Sequence, residues 1–102
     1  GCGVSLELNS IPFLLGSPSL VQSGYTSSLQ NSNEQVLLDF ELKNGLSMSV
    51  PELKLLADPQ TDVGLHAAIP EDNVSRCLDN LNAVGYTCAC VGSIEEENWL
   101  IR

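Results

Sequence analysis

Residues 4–8, VSLEL, place Val, Leu and Leu at every second position, with polar residues between them. A period of two predicts a half-buried strand. The segment IPFLLGSPSLVQSG follows; its Ser17-Pro18 pair suits the start of a helix, and Gly24 suits its stop. A brief helix over 18–23 is therefore expected. YTSSLQNSNEQ, rich in Ser and Asn, reads as a surface loop with at most one helical turn over 33–38. VLLDFELKNGLSM admits two readings. One is a pair of strands turning at Asn44-Gly45, the strongest short hairpin dipeptide. The other is a helix over 33–43 ended by the same two residues. Glu34, Gln35, Leu37, Leu38 and Glu41 favour the helix at its start.

The second half has a sharper pattern. PELKLLA over 51–57 opens with Pro at a favoured first helical position, and Pro59 closes it. GLHAAIP over 64–70 predicts a short buried strand broken by Pro70. In the next stretch, Val74, Cys77, Leu78, Leu81 and Val84 form an apolar stripe at helical spacing, with Gly85 as the stop. YTCACVGSI alternates like a strand, EEEN is an acidic turn, and WLIR is a final short strand. The order strand–helix–strand–strand, with one amphipathic helix over a sheet, predicts an α/β (α+β) fold. Residues 1–102 form a single domain in this reading, a mixed sheet with helices packed on one face.

Composition narrows the function. The chain has 102 residues, 43% of them hydrophobic and 17% charged, enough for one core and not two. Thirteen acidic residues face four basic ones, giving a net charge of −9. Binding nucleic acid needs clusters of Lys and Arg, and an anionic membrane repels such a chain, so neither is an expected partner. No apolar run reaches the roughly 20 residues that span a bilayer. The opening GCGVSLEL has neither an initiator Met nor the features of a signal peptide, and reads as part of a longer protein. Cys2, Cys77, Cys88 and Cys90 lack the paired spacing of a zinc site. They read as reduced thiols of a cytoplasmic protein.

Few residues are placed for chemistry. His66 is the only His and lies in an apolar segment, which suits a core or edge imidazole better than a general base. The acidic run 95–97 lacks the glycine and neutral oxygens of a hard-cation loop. Asp58 and Asp62 flank a turn within DPQTDVGL, a stretch that feeds the 64–70 segment. A phosphate cradle uses backbone N–H groups and several glycines, whereas this stretch has one Gly and two carboxylates that repel phosphate. On its residues alone it reads as a structural turn.

DPQTDVGLHAAIP, the amphipathic helix and AVGYTCACVGSI together resemble the C-terminal domain of the selenide, water dikinase (selenophosphate synthetase) family. That family carries a D-P-Q-T-S-G-G-L segment, an apolar strand ending in Pro, a helix, and a strand like G-Y-x-x-x-x-I-G-x-V. GVSLELNSIPFLLGS and GYTSSLQNSN are similar to further family segments, the second to G-x-x-S-S-L-x-x-x-N. The resemblance is collinear from about Gly3 to about Ile94. It implies the C-terminal-domain fold of the aminoimidazole ribonucleotide synthetase-like superfamily, N-terminally truncated. In that superfamily an N-terminal domain dimerises and holds ATP, and the C-terminal domain closes over the cleft.

The implied reaction of the full-length enzyme is ATP, selenide and water to selenophosphate, AMP and phosphate, with Mg²⁺. The family's catalytic Cys or selenocysteine, its Lys and most of its metal-binding aspartates precede the matched region. No cofactor and no turnover are therefore expected of this fragment, and its own N-terminal ATP-binding domain is the expected partner. Asp58, Gln60, Thr61 and Gly64 match the family's loop and are the candidate ligand-loop residues. Asp62 and Val63 depart from it, adding a charge and a β-branched side chain where the family has Ser and Gly. The competing reading is a non-catalytic acidic interaction or regulatory domain, a degenerate copy fused to an oxidoreductase. A relative of purine-pathway synthetases is a third. Apolar surface without its partner is expected to self-associate, as a symmetric homodimer.

Overall fold

β1 (Gly3–Leu6) lies inside the sheet, between two neighbours. The structure, a computed structural model, describes residues 1–59 and 64–102. Around β1 the order is β2-β4-β1-β3, where β2 is Glu41–Leu42, β3 Gly92–Glu95 and β4 Trp99–Ile101. β3 runs antiparallel to β1, while β4 runs parallel to β1 and β2 parallel to β4. The fold is α/β with a mixed sheet, as the sequence predicts.

The register explains which face is apolar. Leu6 pairs with Ile101, which pairs in turn with Leu42, so the three share one face. Ile101 is fully buried there, in a cluster with Leu8, Leu37, Leu53 and Ala57. Leu53 belongs to α3 (Pro51–Leu55) and Leu37 to a 3-10 turn at Gln35–Asp39, so the core lies between the sheet and the helical N-terminal half. α1 (Ser17–Gln22) packs on α3. Gly92 lets β3 approach β1: a Cβ on it would sit 2.0 Å from the Ser5 carbonyl oxygen.

Two helices end in the same way. After α1, the Gly24 N–H donates to Val21 O (2.9 Å) and the Tyr25 N–H to Leu20 O (3.0 Å). After α4 (Val74–Ala83), Gly85 donates to Asn82 O and Tyr86 to Leu81 O, both at 3.1 Å. This is the Schellman pattern, with glycine φ values of 90° and 91°. Both Gly-Tyr pairs stop their helices where the sequence predicts.

Other expectations change. The segment read as a loop holds α2 (Gln30–Glu34), which runs into the 3-10 turn. The helix expected over 33–43 therefore starts earlier and ends by Asp39. Phe40 leaves it in extended conformation, and its ring meets Trp99 edge-on at 5.5 Å, steering the chain into β2. Asn44 and Gly45 both have positive φ, and Leu46 N–H donates to Lys43 O, giving the tight turn that the dipeptide favours. No hairpin results, because β2 pairs with β4 instead of the chain that follows the turn.

The largest correction concerns 64–91. GLHAAIP is not a buried strand: residues 64–70 are all exposed and Leu65 is 100% exposed. α4 does not cover the sheet, for none of its residues is buried. YTCACVGSI forms a strand only over Gly92–Glu95. The physical reason is pairing. β1 has its two edges filled by β3 and β4, and β4 has β1 and β2, so an apolar alternating segment has no interior position to take in this sheet. Alternation makes a segment fit for a strand without supplying the neighbour that hydrogen-bonds it.

These assignments separate two substitutions. Ile101→Ala should cost about 2–5 kcal/mol in urea unfolding, as a large-to-small change at a fully buried site. Leu65→Ser should stay within about 0.5 kcal/mol, as a change on exposed chain. A loss at Leu65 as large as that at Ile101 would restore the buried-strand reading.

Candidate functional site

The candidate loop begins where α3 ends. Pro51 starts that helix after an extended Val50, Glu52 sits in its first turn and Lys54 in its last, and both charges suit the helix dipole. The helix is only five residues long, too short to persist by itself. It is held by Leu53, which is fully buried, and by the buried Ala57 just beyond its end. Asp58 follows, half-buried, with its backbone N–H donating to Leu55 O at 3.2 Å.

Gln60 and Thr61, with Asp62 and Val63, lie outside the described residues. Gly64 resumes the chain in exposed backbone, and a Cβ there would meet nothing within 4 Å. Its φ is not in the left-handed region, so among the described residues the fold places no steric demand for glycine there. The structure thus places Asp58 and Gly64 at the two ends of the loop.

Two residues that sequence reasoning passed over hold the loop's base. The Gln30 side-chain amide donates to Lys54 O at 2.8 Å and to Glu34 Oε1 at 2.9 Å. Asn33 Nδ2 donates to Ala57 O at 3.1 Å. Gln30 is only 4% exposed, which is unusual for an amide in a stretch this polar. The available signal was the S-S-L-x-x-x-N spacing, whose final Asn is Asn33.

Elsewhere the chemistry is sparse. Among the described residues no group of three or more His, Cys, Asp or Glu side chains could hold a metal ion. His66 is exposed. The acidic turn after β3 is exposed at Glu96 and Glu97, and Glu95 accepts a hydrogen bond from Ser93 Oγ at 2.9 Å. A shallow open groove runs between Ile69-Pro70 and α4, with Arg76, Cys77 and Leu81 along it. The Arg76 guanidinium donates to Asn73 Oδ1 at 2.9 Å. No helix among the described residues is long and apolar enough to cross a membrane.

No family model matches the chain, and no solved structure matches it. A curated protein does. The chain is 30% identical over 93 residues to a selenide, water dikinase of Myxococcus xanthus (strain DK1622). The match supports a selenophosphate synthetase-like relationship. The match covers 89% of the chain and 26% of the relative, so the chain spans about a quarter of that protein's length. It agrees with the resemblance read from the DPQT segment and its neighbours.

The four thiols are free, Cys2 and Cys90 exposed and Cys77 and Cys88 partly covered. Cys88 Sγ lies 3.7 Å from Leu78 O, against α4. A disulfide-exchange reagent added to the native protein should react in two phases, two thiols quickly and two slowly. Four equally fast thiols would mean that residues 86–91 do not lie along α4.

Proposed function

We propose that this chain is the C-terminal domain of a selenide, water dikinase-like protein, and that its 58–64 loop forms part of one wall of a nucleotide cleft. The observation that carries the reading is the similarity to a selenide, water dikinase across nearly nine-tenths of the chain. The geometry is compatible with it. The loop leaves a helix end that is tied down on one side and enters exposed chain on the other. Among the described residues nothing demands a glycine at Gly64, as expected where backbone must come close to a ligand.

In this reading the longer protein converts ATP, selenide and water to selenophosphate, AMP and phosphate. The described residues do not fit Mg²⁺ unaided, because no cluster of three ligating side chains exists among them. They also do not fit a triphosphate unaided. The chain carries −9 overall, and its four basic residues are dispersed. The metal, the nucleotide's charge and the reactive groups are therefore assigned to an N-terminal ATP-binding domain of the same longer protein, and the site to the cytoplasm. Residues 1–102 supply shape and neutral hydrogen-bonding groups, and do not turn over alone.

The test joins the chain to its natural upstream segment and measures selenide-dependent AMP release from ATP. AMP is expected from the joined protein and none from residues 1–102 by themselves. Gly64→Val should lower kcat/KM by about tenfold or more if the loop's backbone comes close to the nucleotide. A joined protein that makes no AMP moves the assignment to the interaction domain.

That second reading has its own observation. Leu14, Leu15, Leu65, Val84, Tyr86 and Ile94 are each at least 60% exposed, large apolar side chains that a partner's contact would take out of water. We infer that this surface is covered in the assembled protein. Without a covering partner, residues 1–102 should scatter light as a dimer at high concentration; a clean monomer would remove self-association.

A further inference from the structure

We propose that Gln30 and Asn33 are positioning residues for Ala57 and Asp58, at the entrance of the candidate loop. The proposal rests on the reading of that loop as a ligand wall. The two amides lie three residues apart in and beside the single turn of α2, a spacing that puts both on the same helix face. They reach carbonyls that are also three apart, Lys54 O and Ala57 O, at the end of α3. A helix of five residues leaves its last carbonyls without intrahelical donors. No left-handed glycine follows α3, unlike the ends of α1 and α4. Side-chain amides from a neighbouring helix take over part of that role.

The bonds fall on the peptide units that lead into the loop. Lys54 O accepts both the Gln30 amide and the Ala57 N–H, the latter at 3.1 Å. Ala57 O accepts Asn33, and it belongs to the same peptide unit as the Asp58 N–H, which donates to Leu55 O. Asn33 and Leu55 thus grip the two ends of one peptide plane, the plane that sets where Asp58 begins. Gln30 has little freedom to do anything else, being 96% withdrawn from water with its amide committed to Lys54 O and Glu34. Asp58 held in this way keeps its place before and after a ligand arrives, which lowers the ordering cost of binding at that residue.

Asn33→Asp keeps the shape and removes the donor, setting an acceptor against Ala57 O. Hydrogen exchange by NMR on residues 1–102 should show the Ala57 and Asp58 amides exchanging about 5- to 10-fold faster, with Arg102 and Leu8 in the sheet region unchanged. In the joined protein the KM for ATP should rise while kcat holds, as expected when ground-state and transition-state binding weaken together. Asn33→Gln, which retains an amide, should recover part of both. Gln30→Glu serves as a second variant at the Lys54 carbonyl. Unchanged exchange at residues 57 and 58 overturns the proposal. So does exchange that rises equally throughout the sheet, which would make the amides merely structural, and so does faster local exchange with an unaltered KM. If the wild-type joined protein makes no AMP, the nucleotide reading fails and takes the positioning role with it. The exchange data then still report whether the amide contacts exist.

Discussion

Among the described residues, Leu53 and Ile101 are the two large side chains taken wholly out of water, and the cluster they share is what joins the helical half to the sheet. Each contributes about 1.5–3 kcal/mol by leaving water. Few others among the described residues are like them: the remaining buried apolar side chains there are Leu8, Leu37, Ala57 and Leu100. Everything near the candidate loop depends on this contact. α3 is too short to stand alone, and it exists because Leu53 is anchored to a sheet whose position β1 and β4 fix. Asp58 inherits its place from that anchor, at a remove of five residues. Residues 64–70 have no comparable anchor and stay exposed.

The parts of the fold that were legible in the sequence are those whose cause is local. Gly24 and Gly85 stop helices because left-handed backbone is cheap for glycine, and no distant residue has to cooperate. Pro51 starts α3 for an equally local reason. Asn44-Gly45 makes its turn because both residues tolerate positive φ, whatever the chain does next. β1 was legible through alternation and β4 as a short apolar run, and their apolar faces do meet at the Leu6–Ile101 pair.

What was not legible needed knowledge of a partner. GLHAAIP and YTCACV look like buried strands because their side chains suit burial, yet burial of a strand also requires a neighbouring backbone. The sheet's interior edges are already taken. α2 was hidden for the opposite reason: QNSNE has weak helical propensity, and its helix is supported by tertiary bonds from Gln30 and Asn33 to another helix end. The candidate site divides in the same way. Asp58 and Gly64 could be found by matching residues in a line. The amides beneath them could be found only once 33 and 57 were seen side by side.

Charge decides what kind of wall this can be. Of the four cations, Lys43 is paired with Glu41, Arg102 lies 3.9 Å from Glu7, and Arg76 is turned toward Asn73. Lys54 alone belongs to the helix that leads into the loop. Against a −9 background, one lysine cannot offset several phosphate charges, and at physiological salt the field of more distant groups is screened beyond about 8 Å. In the reading proposed above, a nucleotide meets this surface with its charge already neutralised by another domain's cations or metal. The chain's own contribution is then rigidity at the loop's entrance. Two amides and one buried leucine are a better way to supply rigidity than any charge the sequence has to offer.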